Sequence, residues 1–199
     1  LVQRTAPALA PARRPAVVAP LCVAAALLFA PPALGDEVTP GASALALYGE
    51  GVKLAEQKDY EGAEAKFLAA WAIQRSYDVA ANIGEMQMQI GRPADAAVYF
   101  TYAVANFPLG GKPQTREWIT GRLKGARSKV FALTISVNVP GAEVRIGSKI
   151  VGKAPVGDEQ FLLPGEHTVE VVAPDYELWA RKIPAAAGGS QKLQVDLVL

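Results

Sequence analysis

Two rhythms of apolar residues divide the 199-residue chain. In its first part, up to about residue 130, apolar positions recur at three and four, the spacing of one face of an α-helix. From Leu133 the rhythm changes to two. The stretches LTISVNV, AEVRIGS, HTVEVVA and LQVDLVL alternate or run apolar, separated by Pro-Gly, Gly-Ser, Val-Gly-Asp and Gly-Gly-Ser turns. That pattern predicts about seven short strands closing a small sandwich or barrel. The helical part repeats itself. GVKLAEQKDYEGAEAKFLAAWAIQ overlays GEMQMQIGRPADAAVYFTYAVANFP, so that Gly51 and Gly84, Ala63 and Ala96, Phe67 and Phe100, and Ala70 and Ala103 are each 33 positions apart. Small residues at Gly51 and Ala63 let two antiparallel helices approach, Phe67 fills the space between them, and Ala70 lets the next pair stack. QKDY and IGRP supply the turns inside each pair, and NFPLGGKP ends the array with breakers. A fifth helix starts at Pro113, with Ile119, Leu123, Ala126 and Val130 on one side. Two helix pairs cannot cover their own ends, and this helix is expected to cap them.

The N-terminal segment differs from both. LVQRTAPALAPARRP carries Arg4, Arg13 and Arg14 without an acid, and leads into AVVAPLCVAAALLFA, residues 16–30. The run is short for a membrane span and is interrupted by Pro20, and Ala33 and Gly35 form a small-x-small site before Asp36. Residues 1–35 are expected to be an export signal, cleaved or retained as an anchor, with the paired arginines pointing to the twin-arginine route. Cleavage removes Cys22, the single cysteine, and with it any disulfide, thiolate or sulfur metal ligand. Cys22 lacks the setting of a lipid-attachment cysteine.

The repeat resembles the tetratricopeptide repeat over about residues 44 to 108, with Gly, Ala, Phe and Ala at that family's signature positions and Pro108 at its closing proline. It departs in having Leu47 and Ala80 where tryptophan is common and in a period one residue short. The resemblance implies a groove lined by the first helix of each pair, here by Tyr48, Val52 and Glu56, then by Ala81, Asn82, Glu85, Met88 and Gln89. Asn82 stands where a groove asparagine would hold a peptide backbone. Val52 and Glu85 replace the lysines of a carboxylate-binding groove, which disfavours an acidic or C-terminal peptide. A partner or the chain's own second domain could fill the groove.

The second part resembles the PEGA domain, a small all-β module of exported and surface-layer proteins, over about residues 132–199. VPGAEVRIGSKIVGKAPV, LLPGEHTVEVVAPDYE and the final strand carry it, although Val139-Pro140-Gly141-Ala142 lacks the glutamate of the four-letter name. The expected fold is α+β in separate domains: signal 1–35, two tetratricopeptide-like repeats 36–111, a basic capping or linker helix 112–130, and a PEGA-like β sandwich 131–199.

Charge refines this picture locally. Residues 36–111 hold ten acids and five bases, residues 112–130 one acid and six bases, and residues 131–199 eight acids and six bases. Nothing in that balance points to nucleic acid. Arg116, Arg122, Lys124, Arg127 and Lys129 line the capping helix opposite its apolar side, either as a solvated face or as a contact for anionic headgroups or an acidic partner. GSKIVGKA approaches a phosphate-binding loop, but Ala154 stands where magnesium needs a hydroxyl, and Pro155 follows where a helix should begin. A hairpin turn at Gly147-Ser148 and a bend at Gly152 account for it. His167, the sole histidine, begins a strand, which suits a structural hydrogen bond better than base catalysis. Adjacent Asp158 and Glu159 point apart if extended and make a poor metal cage. No cofactor, metal or catalytic residue is expected. In YELWARK, alternation places Tyr176, Leu178 and Ala180 inward and leaves Trp179 exposed between Glu177 and Arg181, available to a sugar ring or a protein. The chain reads as an exported, non-catalytic adaptor of the periplasm or cell envelope, taking a protein or peptide in its helical groove. The alternative is a cell-wall carbohydrate-binding protein acting through the β domain. Membrane contact is left to the basic helix or an uncleaved signal.

Overall fold

The structure is a computed structural model that describes residues 40–199. The expected signal, residues 1–35, and its Cys22 lie outside the described residues. Five helices follow in order: α1 (Pro40–Glu56), α2 (Tyr60–Ile73), α3 (Tyr77–Gln89), α4 (Pro93–Ala105) and α5 (Pro113–Arg127). The first four pair as α1 with α2 and α3 with α4, and each pair is built around the same contact. A methyl group added at Gly51 would stand 2.7 Å from Phe67 Cε1, and one at Gly84 would stand 3.0 Å from Phe100 Cε1. Both rings are fully buried, as are Ala63, Ala70, Ala96 and Ala103. The absent side chain on the first helix is therefore the slot for the ring of the second.

The turns repeat as well. Lys58 and Gly91, again 33 positions apart, both take the left-handed backbone, at φ 63° and 77°. After Lys58, the Asp59 carboxylate accepts the Gly62 N–H at 3.0 Å and caps α2. After Gly91, Pro93 presets the first turn of α4. The two pairs are then stapled together. Trp71 of α2 meets Tyr102 edge to face at a centroid distance of 4.6 Å and Tyr99 at 5.5 Å. The buried Glu64 carboxylate accepts from Gln87 Nε2 at 3.0 Å and pairs with Arg92.

The β part forms two sheets. Its strands are β1 (Phe131–Val137), β2 (Glu143–Ile146), β3 (Lys149–Lys153), β4 (Gln160–Leu162), β5 (Gly165–Val172), β6 (Trp179–Ala185) and β7 (Ser190–Val195). One sheet runs β4-β1-β7, with β1 antiparallel to β4 and parallel to β7. The other runs β3-β2-β5-β6, antiparallel throughout. Period two puts Leu133, Ile135, Val144, Ile146, Val169, Val171, Ile183, Leu193 and Val195 into one apolar core. Fully burying each such side chain contributes on the order of 1.5–3 kcal/mol. Asn138 ties down the tail, accepting the Leu197 N–H at 2.9 Å.

The capping helix does what its pattern predicts. Ile119, Ala126 and Val130 are buried with the core of the second helix pair. A tight turn then passes the chain into β1, and the Gly188 N–H donates to the Val130 carbonyl at 2.8 Å. Phe161 of β4 leaves the β core and packs into the helical one. The Arg127 guanidinium lies 5.3 Å from its ring centroid and takes Glu159 in a fork, at 2.5 and 3.0 Å. The fold is thus α+β in two parts, which meet at a shared aromatic and a two-pronged ion pair.

Candidate functional site

The residues expected to line a groove fall on the first helices of the pairs, and the structure ties several of them together. The Asn82 side-chain amide donates to the Tyr48 hydroxyl at 2.9 Å and to the Asp78 carbonyl at 3.0 Å. The Tyr48 ring rests on Phe67 at a centroid distance of 5.5 Å. Burial first, and the Asp78 carboxylate second, hold the Tyr48 hydroxyl above its ordinary pKa, against the opposing bond from Asn82. The amide that a free groove asparagine would offer to a peptide is thus already engaged between α1 and α3. Beside it lies a cleft of about 240 Å³, lined by Leu45, Tyr48, Gln74, Ser76, Asp78 and Val79.

Further along, Glu85 accepts from Gln89 Nε2 at 2.8 Å and from Arg122 of α5 at 2.6 Å, while its other carboxylate oxygen is buried without a partner among the described residues. Val52 is half-buried and packs on the first pair's core, Glu56 is exposed, and Gln89 is exposed apart from its bond to Glu85. Met88 and Ala81 belong to the core of the second pair and present little to a ligand.

Two residues of this face were hidden in the helix read as a cap. Val52, Glu85 and Trp118 are spaced by 33, and so are Glu56, Gln89 and Arg122. The Glu85–Arg122 pair shows that α5 stands beside α3 as α3 stands in the array, so the face has a third member. Trp118 is 44% exposed, with the Arg122 guanidinium 5.7 Å from its ring centroid. The signal that could have found them is the same spacing, carried one repeat further. Of the five bases expected on an open face, Arg122 and Arg127 are instead spent on Glu85 and Glu159.

The expected exposure of Trp179 is corrected. β6 starts at Trp179, and Tyr176 to Leu178 form a bend and irregular chain before it, so alternation cannot be counted through from Tyr176. Within the strand, Ile183 and Ala185 face the core, which puts Trp179 on the inward side. Its ring is half-buried against that core, and the exposed Arg181 lies over it at 5.5 Å. Leu178, expected inward, is 62% exposed. A sugar-stacking platform would need the Trp179 face that the core and Arg181 already cover.

His167 and the glycines of GSKIVGKA have structural roles. His167 Nε2 bonds the Leu163 carbonyl at 2.7 Å. Gly147, at φ 59°, turns the β2–β3 hairpin, and Gly152 lies where the register shifts between the two strands. GSKIVGKA is therefore strand and turn, without the helix a phosphate loop requires. Asp158 is exposed at the mouth of a cleft of about 320 Å³ between α4 and the chain leading into β4, lined by Val98, Thr101, Tyr102, Ala105 and Phe161. No helix among the described residues is long and apolar enough to cross a membrane.

Residues 130–199 match the PEGA domain. Domains of this family are commonly found in extracellular or periplasmic proteins. The five helices before it are compatible with a repeat array. No curated protein matches the chain.

Proposed function

We propose that this is an exported, non-catalytic adaptor of the cell envelope, in which a tetratricopeptide-type array carries a protein or peptide on its first-helix face and the PEGA domain serves as spacer or surface contact. One observation supports this reading above the others. α1, α3 and α5 present equally spaced positions on one face, and the Tyr48–Asn82 and Glu85–Arg122 bonds hold the three helices in register. A face fixed before binding loses little conformational entropy when a partner arrives. The PEGA domain's usual setting agrees with the leader-like residues 1–35. With one histidine and one cysteine in the whole chain, and that histidine bonded to a backbone carbonyl, the adaptor reading needs no catalytic group.

The test is capture from native cell envelope with the full chain, beside Tyr48→Phe/Asn82→Ala and Trp179→Ala variants and a cell-wall polymer arm. One protein enriched by the parent and by Trp179→Ala, and lost with the double variant, is the expected result. Retention of polymer alone, released by Trp179→Ala, would replace the adaptor with a carbohydrate-binding protein. Recovery of the chain from the cytoplasmic fraction would remove the envelope from the proposal.

A further inference from the structure

Residues 112–130 hold six bases and one acid, and the structure sorts them. Arg122 and Arg127 are consumed within the molecule by Glu85 and Glu159. Lys112, Arg116, Lys124 and Lys129 remain exposed, with no carboxylate in ion-pair distance among the described residues. Four free cations against Glu117 leave the exposed surface of residues 112–130 positive, next to repeats in which acids outnumber bases two to one. Trp118 stands on the same side of the helix as Arg122 and is more exposed than the half-buried Trp71 or Trp179. Lys124 lies about a third of a turn around α5 from Trp118, so an exposed tryptophan and a free cation flank the outward side of the helix, where an aromatic can anchor and charge can select.

We propose that the exposed side of α5 and the turn after it dock an acidic segment of a partner protein, with Trp118 as the apolar anchor and Lys124 and Lys129 supplying the charge. A second copy meeting α5 with its own α5 would bring like charges together. A bilayer needs an apolar helix face to sink into it, and the apolar residues of α5, Ile119, Leu123 and Ala126, are committed to the helical core. Val52 and Glu85 disfavour an acidic ligand near α1 and α3, and α5 reverses the sign of the surface at the far end of the array. The site shares Trp118 with the first-helix face but does not involve Tyr48 or Asn82, so loss of binding in one set of variants and not the other separates the two readings.

The probes are a fluorescein-labelled peptide of alternating glutamate and leucine, its lysine–leucine counterpart, and phosphatidylcholine vesicles with and without phosphatidylglycerol, each titrated with the full chain. The acidic peptide binds, and more weakly as salt is added. Lys124→Glu/Lys129→Glu and Trp118→Ala each lower its affinity by about tenfold or more, while Tyr48→Phe/Asn82→Ala binds as the parent does. Trp118, Lys124 and Lys129 are exposed, and unchanged circular dichroism establishes that the variants are folded. The proposal is overturned if the acidic peptide does not bind, if both peptides bind alike, if only phosphatidylglycerol vesicles are bound, if the charge-reversed variant keeps its affinity, or if the chain self-associates through α5.

Discussion

The two parts of the molecule solve the same packing problem with different means. In the β part every buried residue is apolar, and alternation along the strands is enough to build the core. In the helical part the two buried polar residues, Glu64 and Gln87, join each other across the boundary between the pairs, with Arg92 closing the link from the surface. A sheet fixes register through its ladder of backbone bonds. Stacked helix pairs have no such ladder, and apolar faces alone would let them slide. Directional polar bonds between repeats supply what the sheet has from its backbone. The same need explains Tyr48–Asn82 and Glu85–Arg122, so the bonds that set the array's register also fix the face proposed to bind a partner.

The largest test of this contrast is truncation of a ring. Phe100→Ala is expected to cost about 3–5 kcal/mol, read as a lowered urea midpoint, with the β part released at the same midpoint because Phe161 and Arg127 join it to the second pair. Two separate transitions would show that the join does not couple them. Next comes Glu64→Ala, which leaves Gln87 and Arg92 unpaired and costs about 1–3 kcal/mol. A neutral result would remove the polar staple from the account. Glycine substitutions should differ in sign. Gly51→Ala and Gly84→Ala press a methyl on a buried ring and cost about 1–3 kcal/mol. Gly121→Ala and Gly125→Ala, in helix α5 with open space around them, gain about 0.5–1 kcal/mol. Thermal melts of the four variants make the comparison. The smallest effect concerns pH. Burial raises Tyr48 and Tyr99 above the ordinary tyrosine value of 10.0, so the folded array holds those protons more firmly than the unfolded chain. Their contribution is fully present below that pH and is lost as the pH rises through the folded values. Tyr48→Phe/Tyr99→Phe should flatten the alkaline loss of stability.

Much of this architecture is written in simple periods. The Gly51–Phe67 and Gly84–Phe100 contacts follow from a spacing of 33 and from the absence of a side chain, and the β2–β3 hairpin follows from Gly147. What the sequence concealed are relations between distant elements. Phe161 reads as one apolar residue of a short strand, and nothing local says that it belongs to the helical core. Trp179 misleads because the alternation of YELWARK begins at Tyr176, in the bend before β6 and not in the strand itself. Asn82 was legible as a residue of the first-helix face, but its bond to Tyr48 crosses 34 positions. Trp118 was visible only by extending the repeat into a helix whose charge drew attention first.

The most direct test of the adaptor claim places a photo-crosslinking side chain at Gln89, on the first-helix face, and separately at Lys182, on the outer side of β6, in living cells. The account predicts one discrete protein adduct from Gln89, absent when Tyr48→Phe/Asn82→Ala is introduced, and none from Lys182. An adduct from Lys182 alone, or from neither position, would contradict it.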